Sequence, residues 1–378
     1  MDNIINKVGS VVEGNNFFGR KKELKRAWEL IEDGNSLILA APRRVGKSSF
    51  AKKMIEISQS KNWKGFYVDL EKSKTETNFI KQFLIQLKGE SWLDKFSLEN
   101  FKVSVSEIDI SFDIKKQSDI YQKIDKVLPH NEDTLIVIDE LTVFLNNLRD
   151  ENSNIENIAF FLNWLRGLRQ TSGTKIRWIF CSSISIESFA NSHSLSYTLN
   201  DITSFPIDEL KGNEPNMLLQ ALAQSKQLDF QEETIQYVLE KLSWKLPYFI
   251  QLLFKEIVDL IDEEKEITTE IIDKAYHNST SKSSIHFNTW FERLNEYADD
   301  KQHALVILKE LSKIKAGKSR TSLHTLLYKS VNDADKVDDI LNRLLLKLEN
   351  EGYVMMSEKK YVFRSPFLRD FWYNRFII

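Results

Sequence analysis

The stretch SLILAAPRRVGKSS, residues 36–49, decides how this chain folds. Its first five residues are a short apolar run, too brief for a helix and of the right length for a buried strand. The next residues carry no apolar period, and FAKKMIEIS from residue 50 onward returns to helical spacing. Strand, loop and helix in that order are the setting that a phosphate-binding loop of the form G-x-x-x-x-G-K-[ST] needs. Gly46, Lys47 and Ser48 match its end, while Ala41 stands where the first glycine is usual. A Cβ there is tolerable because Pro42 biases its predecessor toward extended backbone with negative φ. Glycine lets backbone N–H groups turn toward an anion, and the start of the following helix adds partial positive charge. Lys47 would reach the β and γ phosphates of a nucleotide, and the Ser48 hydroxyl would ligate Mg2+. A basic helix N-cap is the plainer alternative, since Gly-Lys-Ser arises easily among many lysines.

Working outward, three more apolar runs read as buried strands: GFYVDL (65–70), TLIVIDE (134–140) and IRWIFCSS (176–183). Helical stretches separate them. Before the first strand, FFGRKKELKRAWELIEDG places Leu24, Trp28 and Ile31 on one helical face, and Gly34 ends that helix. Such alternation predicts a parallel α/β sheet covered on both faces. LIVIDE ends in Asp139 and Glu140, at the carboxyl end of a strand, where such sheets gather ligand groups. Two carboxylates there are costly to desolvate unless a cation or hydrogen bonds satisfy them. The expected roles are metal binding through water for Asp139 and general base for Glu140; simple helix capping is the alternative. In CSSIS, Ser182 or Ser183 could bond a γ-phosphate or the attacking water, and Ser183 joins Glu140 and Lys47 as a catalytic candidate. Strand-end serines also serve as ordinary turn formers. The single cysteine, Cys181, reads as a buried apolar side chain, and the 6 histidines show no zinc-site spacing.

Between the second and third strands, FKVSVSEIDISFDI (101–114) alternates apolar and polar residues and changes phase near Ser106 and Glu107, as an inserted hairpin would. Beyond residue 207, NEPNMLLQALAQSKQ, QEETIQYVLEKLS and LPYFIQLLFKEIVDLIDEE are helical in pattern. From 287 onward come further helices, then two strand-like pieces, YVMMS and KYVFR, an order that suggests a winged helix-turn-helix. The expected domains are an ATPase-type sheet domain over 1–207, a helical lid over 208–286 and the winged helix over 287–378. With 378 residues, 42% apolar and 28% charged, the chain has enough material for a sizeable core. One cysteine, no secretory start and no apolar run of membrane length lead to the expectation of a soluble, cytoplasmic protein with no membrane partner. Net charge is −3, yet residues 301–378 carry 15 Lys and Arg against 9 Asp and Glu, a local excess of +6.

Taken together these residues resemble the AAA+ class of P-loop ATPases, and within it the archaeal and bacterial ATPases allied to the STAND group. FFGRKKEL is similar to their entry motif, APRRVGKSS to their Pro-Arg-Arg-x-Gly-Lys-Ser loop, LIVIDE to their Walker B strand, and YVFRSPFLRDFW to the segment that closes their winged-helix domain. The likeness runs from about residue 17 to 373. It implies ATP and Mg2+ as cofactors, with nucleotide contacts from Phe18, Gly19, Pro42, Arg43, Arg44, Val45, Gly46, Lys47, Ser48 and Ser49, and metal contacts from Ser48 and Asp139. Arg20 is expected nearby. In the lid motif Pro247 matches, but Trp244 and Lys245 stand where the family commonly has glycine. Arg43 and Arg44 would meet a phosphate or a neighbouring subunit, or simply form a solvated loop face. No trans-acting arginine can be assigned; Arg166, Arg169 and Arg177 are candidates by position, with surface solvation as the plainer role.

The partner is open at this stage. An ATP-hydrolysing switch coupling ATP and ADP states to a protein or nucleic-acid partner is the first reading. The second is a DNA-binding protein of the origin-recognition type, and the third is a non-hydrolysing scaffold; self-association is compatible with each. A basic winged helix suits nucleic acid, and Lys315, Lys318, Arg320, Lys359 and Lys360 supply charge. The expected recognition helix, however, starts with NDADKVDD, and four aspartates at that end repel DNA.

Overall fold

A computed structural model describes residues 4–87, 121–122, 124–125, 128–152, 155–182, 185–261, 266–331 and 333–378. The expected hairpin at 101–114 and the candidate Ser183 lie outside the described residues. The chain divides into two compact units: Met1–Arg20, Pro42–Gly46 and Asp208–Ile378 form one, and Lys21–Ala41 with Lys47–Ile207 form the other.

The second of these is built on a five-stranded sheet: β1 (Ser36–Ala40), β2 (Lys64–Asp69), β3 (Thr134–Asp139), β4 (Ile176–Cys181) and β5 (Ile202–Pro206). The order is β2-β3-β4-β1-β5 and every pairing is parallel. Four strands sit on the four apolar runs. β5 is an addition that those runs do not announce: ITSFP pairs with β1 alone and keeps part of its surface open, so it never needed a continuous apolar sequence. Because all strands run one way, their carboxyl ends share one edge of the sheet. β4 lies between β1 and β3, so the chain reverses its direction of winding there, the place where such sheets form a ligand crevice.

Alternation along each strand separates two faces. Ile38, Phe66, Val68, Ile136, Ile138, Trp178 and Phe180 join one apolar cluster with side chains of α3 (Glu76–Gln86), α4 (Leu141–Asn152) and α5 (Ile155–Gln170). Phe79 meets Phe161 edge-on at 4.9 Å and stacks with Phe144 at 5.6 Å. The opposite face receives α2 (Lys47–Ser60), which packs on β2, β3 and β4. α1 (Lys21–Glu32) buries Leu24, Trp28 and Ile31, the face foreseen from the sequence. A short α6 (Ile186–Ser192) follows β4.

The other unit is mainly helical: α7 (Glu214–Ser225), α8 (Glu232–Leu242), α9 (Pro247–Leu260), α10 (Thr269–Ser279), α11 (Ile285–Arg293), α12 (Lys301–Ser312), α13 (Arg320–Val331), α14 (Ala334–Asn350) and α15 (Pro366–Phe376). An antiparallel pair, β6 (Val354–Ser357) and β7 (Lys360–Phe363), precedes α15. Asp333, first of the four aspartates, caps α14 by accepting from the Lys336 N–H, which gives it a local structural role. No helix among the described residues is long and apolar enough to cross a membrane.

Candidate functional site

The chain leaves β1, passes through Pro42–Gly46 and enters α2 at Lys47. Arg44 (φ 64°) and Gly46 (φ 97°) both take left-handed backbone, which lets N–H groups of successive residues converge as they do in anion-binding nests. At Gly46 an added Cβ would meet nothing within 4 Å, so it is the dihedral, not space, that calls for glycine. Lys47 is buried, and its Nζ donates to the Ala41 carbonyl at 2.7 Å. Ser48 and Ser49 occupy the first turn of α2, where backbone N–H groups and the helix dipole favour negative charge.

At the end of β3, Asp139 is only 3% exposed. Its Oδ1 accepts the Glu140 N–H at 3.0 Å, and its Oδ2 accepts the hydroxyl of Tyr67 from the adjacent strand. Glu140 sits at φ 56°, a left-handed conformation that costs energy for a residue with a Cβ and that tends to persist at functional turns. At the end of β4, the strand on the other side of β3, Cys181 is fully enclosed; burial, reinforced by Asp139, pushes its thiol well above the usual range. Lys47 acts on Cys181 in the opposite sense, so lysine, aspartate and thiol share one neighbourhood beneath the sheet's carboxyl edge. A neutral buried thiol is consistent with a packing role and not with a nucleophile. Ser182 accepts the Thr142 N–H at 3.1 Å and thereby satisfies one open donor at the start of α4.

The sheet unit therefore holds Lys47, Ser48, Ser49, Asp139 and Glu140. Phe18, Gly19, Pro42, Arg43, Arg44, Val45, Gly46 and Pro247 belong to the helical unit. Within that unit Arg20 donates to the carbonyls of Val45 (2.9 Å) and Asp208 (2.6 Å), while its own N–H is taken by Glu214 at 2.7 Å. Arg44 donates to the Gly9 carbonyl at 3.1 Å, with its guanidinium 4.8 Å from the Tyr248 ring centre. The solvated-face reading of Arg44 is thus corrected, because a loop arginine held by a carbonyl and an aromatic ring is fixed within its own chain. Pro247 opens α9, where a missing N–H costs nothing. The unusual Trp244 is used as well: its Nε1–H donates to Asp208 at 3.0 Å, and Arg364 binds the same carboxylate while lying 4.6 Å from the indole.

Surface solvation does not describe Arg169 either. It forks onto both Asp201 oxygens, at 2.8 and 2.9 Å, and donates to the Thr198 carbonyl at 2.6 Å. Arg166 lies over Tyr197, and Arg177 donates to the Thr174 carbonyl at 2.8 Å. Sequence reading missed Tyr67 altogether. Its position inside GFYVDL reads as one more apolar strand residue, and only the β2–β3 pairing brings it to Asp139.

The donor set fits a magnesium nucleotide. Among the described residues no group of three His, Cys, Asp or Glu side chains could hold a metal alone. Magnesium needs no such cage, since it keeps waters and takes one or two protein oxygens beside the phosphates.

No family model matches the chain. It is 28% identical over 264 residues to an uncharacterised ATP-binding protein of Methanocaldococcus jannaschii, covering 66% of this chain and 70% of that one. A second uncharacterised ATP-binding protein of the same organism is 27% identical over 263 residues, covering 66% and 71%. Among solved structures, a Walker-type ATPase of Pyrococcus abyssi superposes with a TM-score of 0.67 at 14% identity, covering 97% of this chain and 99% of its own. The chain has the fold of the P-loop ATPases: a parallel five-stranded sheet with helices and a helical C-terminal region.

Proposed function

We propose that this chain binds ATP with Mg2+ and hydrolyses it, as a switch whose nucleotide state is read by a partner. One observation carries the reading: a buried lysine opening the helix after a left-handed loop shares the sheet's carboxyl edge with a buried Asp139 and the half-buried Glu140 that follows it. Lys47 and the N–H groups at the start of α2 would neutralise the β and γ phosphates. Ser48 and Asp139 would hold Mg2+, which draws charge off the phosphate oxygens when bound. Glu140, partly open to solvent beside Asp139, is the carboxylate suited to take a proton from the attacking water. The two Methanocaldococcus relatives, whose names describe ATP binding, support the choice of ligand.

Titration calorimetry with ATP and magnesium tests binding, and phosphate release tests turnover. Lys47→Ala should remove both. Glu140→Gln should keep ATP bound while lowering turnover by about 100- to 10,000-fold, the usual contribution of a positioned general base. Wild-type turnover in that variant would refute the assignment of Glu140.

We propose a sheet domain over 1–207, a lid over 208–286 and a winged helix over 287–378, although residues 1–20 and 42–46 of the first group with the helical unit. A protein partner suits this last domain better than DNA. Lys318 is paired with Glu310 at 2.8 Å and Arg320 with Asp338 at 2.9 Å, so part of its basic charge is already met within the fold. Duplex binding that weakens steeply with salt and disappears on changing Lys359 and Lys360 to Glu would favour nucleic acid instead.

A further inference from the structure

The Asp139 carboxylate is held from two directions. The Glu140 N–H comes from its own chain turn, and the Tyr67 hydroxyl comes across from β2. Register explains the second contact. Tyr67 pairs with Val137 and Asp69 with Asp139, so Tyr67 lies on the same face of the sheet as Asp139 and one pleat behind it, close enough for a long side chain to reach forward. Phe66, its neighbour, faces the opposite way into the aromatic cluster. On the site face, the Lys52 ammonium of α2 stands 5.0 Å from the Tyr67 ring centre, which fixes the ring from above. An ordinary phenol is protonated near neutral pH, so the hydroxyl acts as the donor to the carboxylate. A phenylalanine would fill this strand position equally well for packing; the oxygen has Asp139 as its partner.

We infer that Tyr67 is a positioning residue for the magnesium site: its hydroxyl fixes the orientation of the Asp139 carboxylate and occupies Oδ2, so that the carboxylate meets the metal's water in one pose. The inference rests on the ATP-Mg2+ reading above and adds a residue to it. A hydrogen bond of this kind selects one orientation of a metal-binding carboxylate and spares the ordering cost at the moment of binding. Loss of such outer partners typically weakens metal affinity about 10- to 100-fold.

The test is the magnesium dependence of binding by a fluorescent ATP analogue, measured on the full chain alongside binding in EDTA. Tyr67→Phe should raise the magnesium concentration for half-saturation about 10-fold and leave affinity in EDTA as in the wild type. A merely structural tyrosine would shift both conditions together or neither. In an Asp139→Asn background the same Tyr67→Phe change should add no further magnesium effect, because the two residues act through one contact. Should Tyr67→Phe fold poorly, 3-fluorotyrosine at position 67 keeps the donor, and its magnesium curve should match that of the wild type. A Tyr67→Phe curve superimposed on the wild type, or a 3-fluorotyrosine curve displaced as far as expected for Tyr67→Phe, overturns the inference alone. A wild-type chain that takes up no nucleotide in either buffer overturns the ATP reading, and the role of Tyr67 falls with it.

Discussion

The two faces of the central sheet are made from the same strands and do opposite work. On one face Phe66, Val68, Ile136, Ile138, Trp178 and Phe180 join one apolar cluster, with the Arg169 guanidinium 5.5 Å from the Phe180 ring centre. On the other, one residue along, stand Tyr67, Asp139 and Cys181, with Lys47 near enough to act on the thiol. A period of two lets one strand serve stability through its even-numbered residues and chemistry through its odd ones, with no change in backbone. The apolar face gains from every square ångström it removes from water. The site face buries a carboxylate, a phenol and an ammonium, and each is costly unless partnered. Hydrogen bonds from Tyr67 and the Glu140 N–H to Asp139, and from Lys47 to the Ala41 carbonyl, hold that cost down.

The largest effect should come from the apolar face. Phe161 is fully buried among Phe79, Phe144, Tyr121 and Trp164. Phe161→Ala removes a ring from a place where several rings contact it, and should cost about 3–5 kcal/mol of stability. Urea unfolding reads the loss, and nucleotide affinity of the protein still folded at low urea should stay at the wild-type value. Loss of affinity without loss of stability would break the division between the faces.

A smaller effect sits at the rim of the same face. Glu76, on α3, lies half-buried beside Tyr121, whose hydroxyl donates to it at 3.2 Å. Burial raises its carboxyl to about 6 from an ordinary 4.5. The fold therefore prefers the protonated form: the stabilisation is fully present below the unfolded value and is lost as pH rises through about 6. The displacement corresponds to about 2 kcal/mol at full burial, and access of solvent to this carboxyl reduces it to about 1 kcal/mol. Glu76→Gln should equal the wild type at pH 4 and exceed it by about 1 kcal/mol at pH 8, measured by urea midpoints at both. An advantage at pH 4 instead would place the ionisation elsewhere.

How much of this could be read beforehand follows from the same two faces. β1, β3 and β4 stood out because strands covered on both sides are largely apolar, and Gly46-Lys47-Ser48 and Asp139-Glu140 broke those runs at their carboxyl ends; β2, at the other edge, stood out through Phe66, Tyr67 and Val68. β5 did not, because an edge strand containing Thr203 and Ser204 lacks the pattern. Tyr67 was invisible for a different reason: its meaning lies in strand pairing, and tyrosine is common in any strand. The engagement of Arg169 with Asp201 was hidden likewise, since 32 residues separate the partners and no local spacing joins them. Motifs that act through a continuous piece of backbone were legible, whereas side chains that act through a neighbouring strand or helix were not.

The smallest effect falls where the apolar face meets the site. Ser182 follows Cys181 at the end of β4, in the position that continues the Trp178 and Phe180 side of the strand. As acceptor for the Thr142 N–H it anchors α4 directly after Glu140, and its own hydroxyl hydrogen remains able to donate elsewhere. Removing a cap of this sort costs about 1 kcal/mol. Ser182→Ala should therefore lower the urea midpoint slightly and speed hydrogen exchange at the Thr142 amide. Nucleotide affinities separate capping from a phosphate contact. If capping is the whole role, ATP and ADP weaken equally or not at all; if the hydroxyl also donates to a γ-phosphate, ATP weakens while ADP does not. A selective loss for ATP would carry the chemistry of the site around the end of β4 onto the mainly apolar face, and the boundary between the two faces would then run through this one serine.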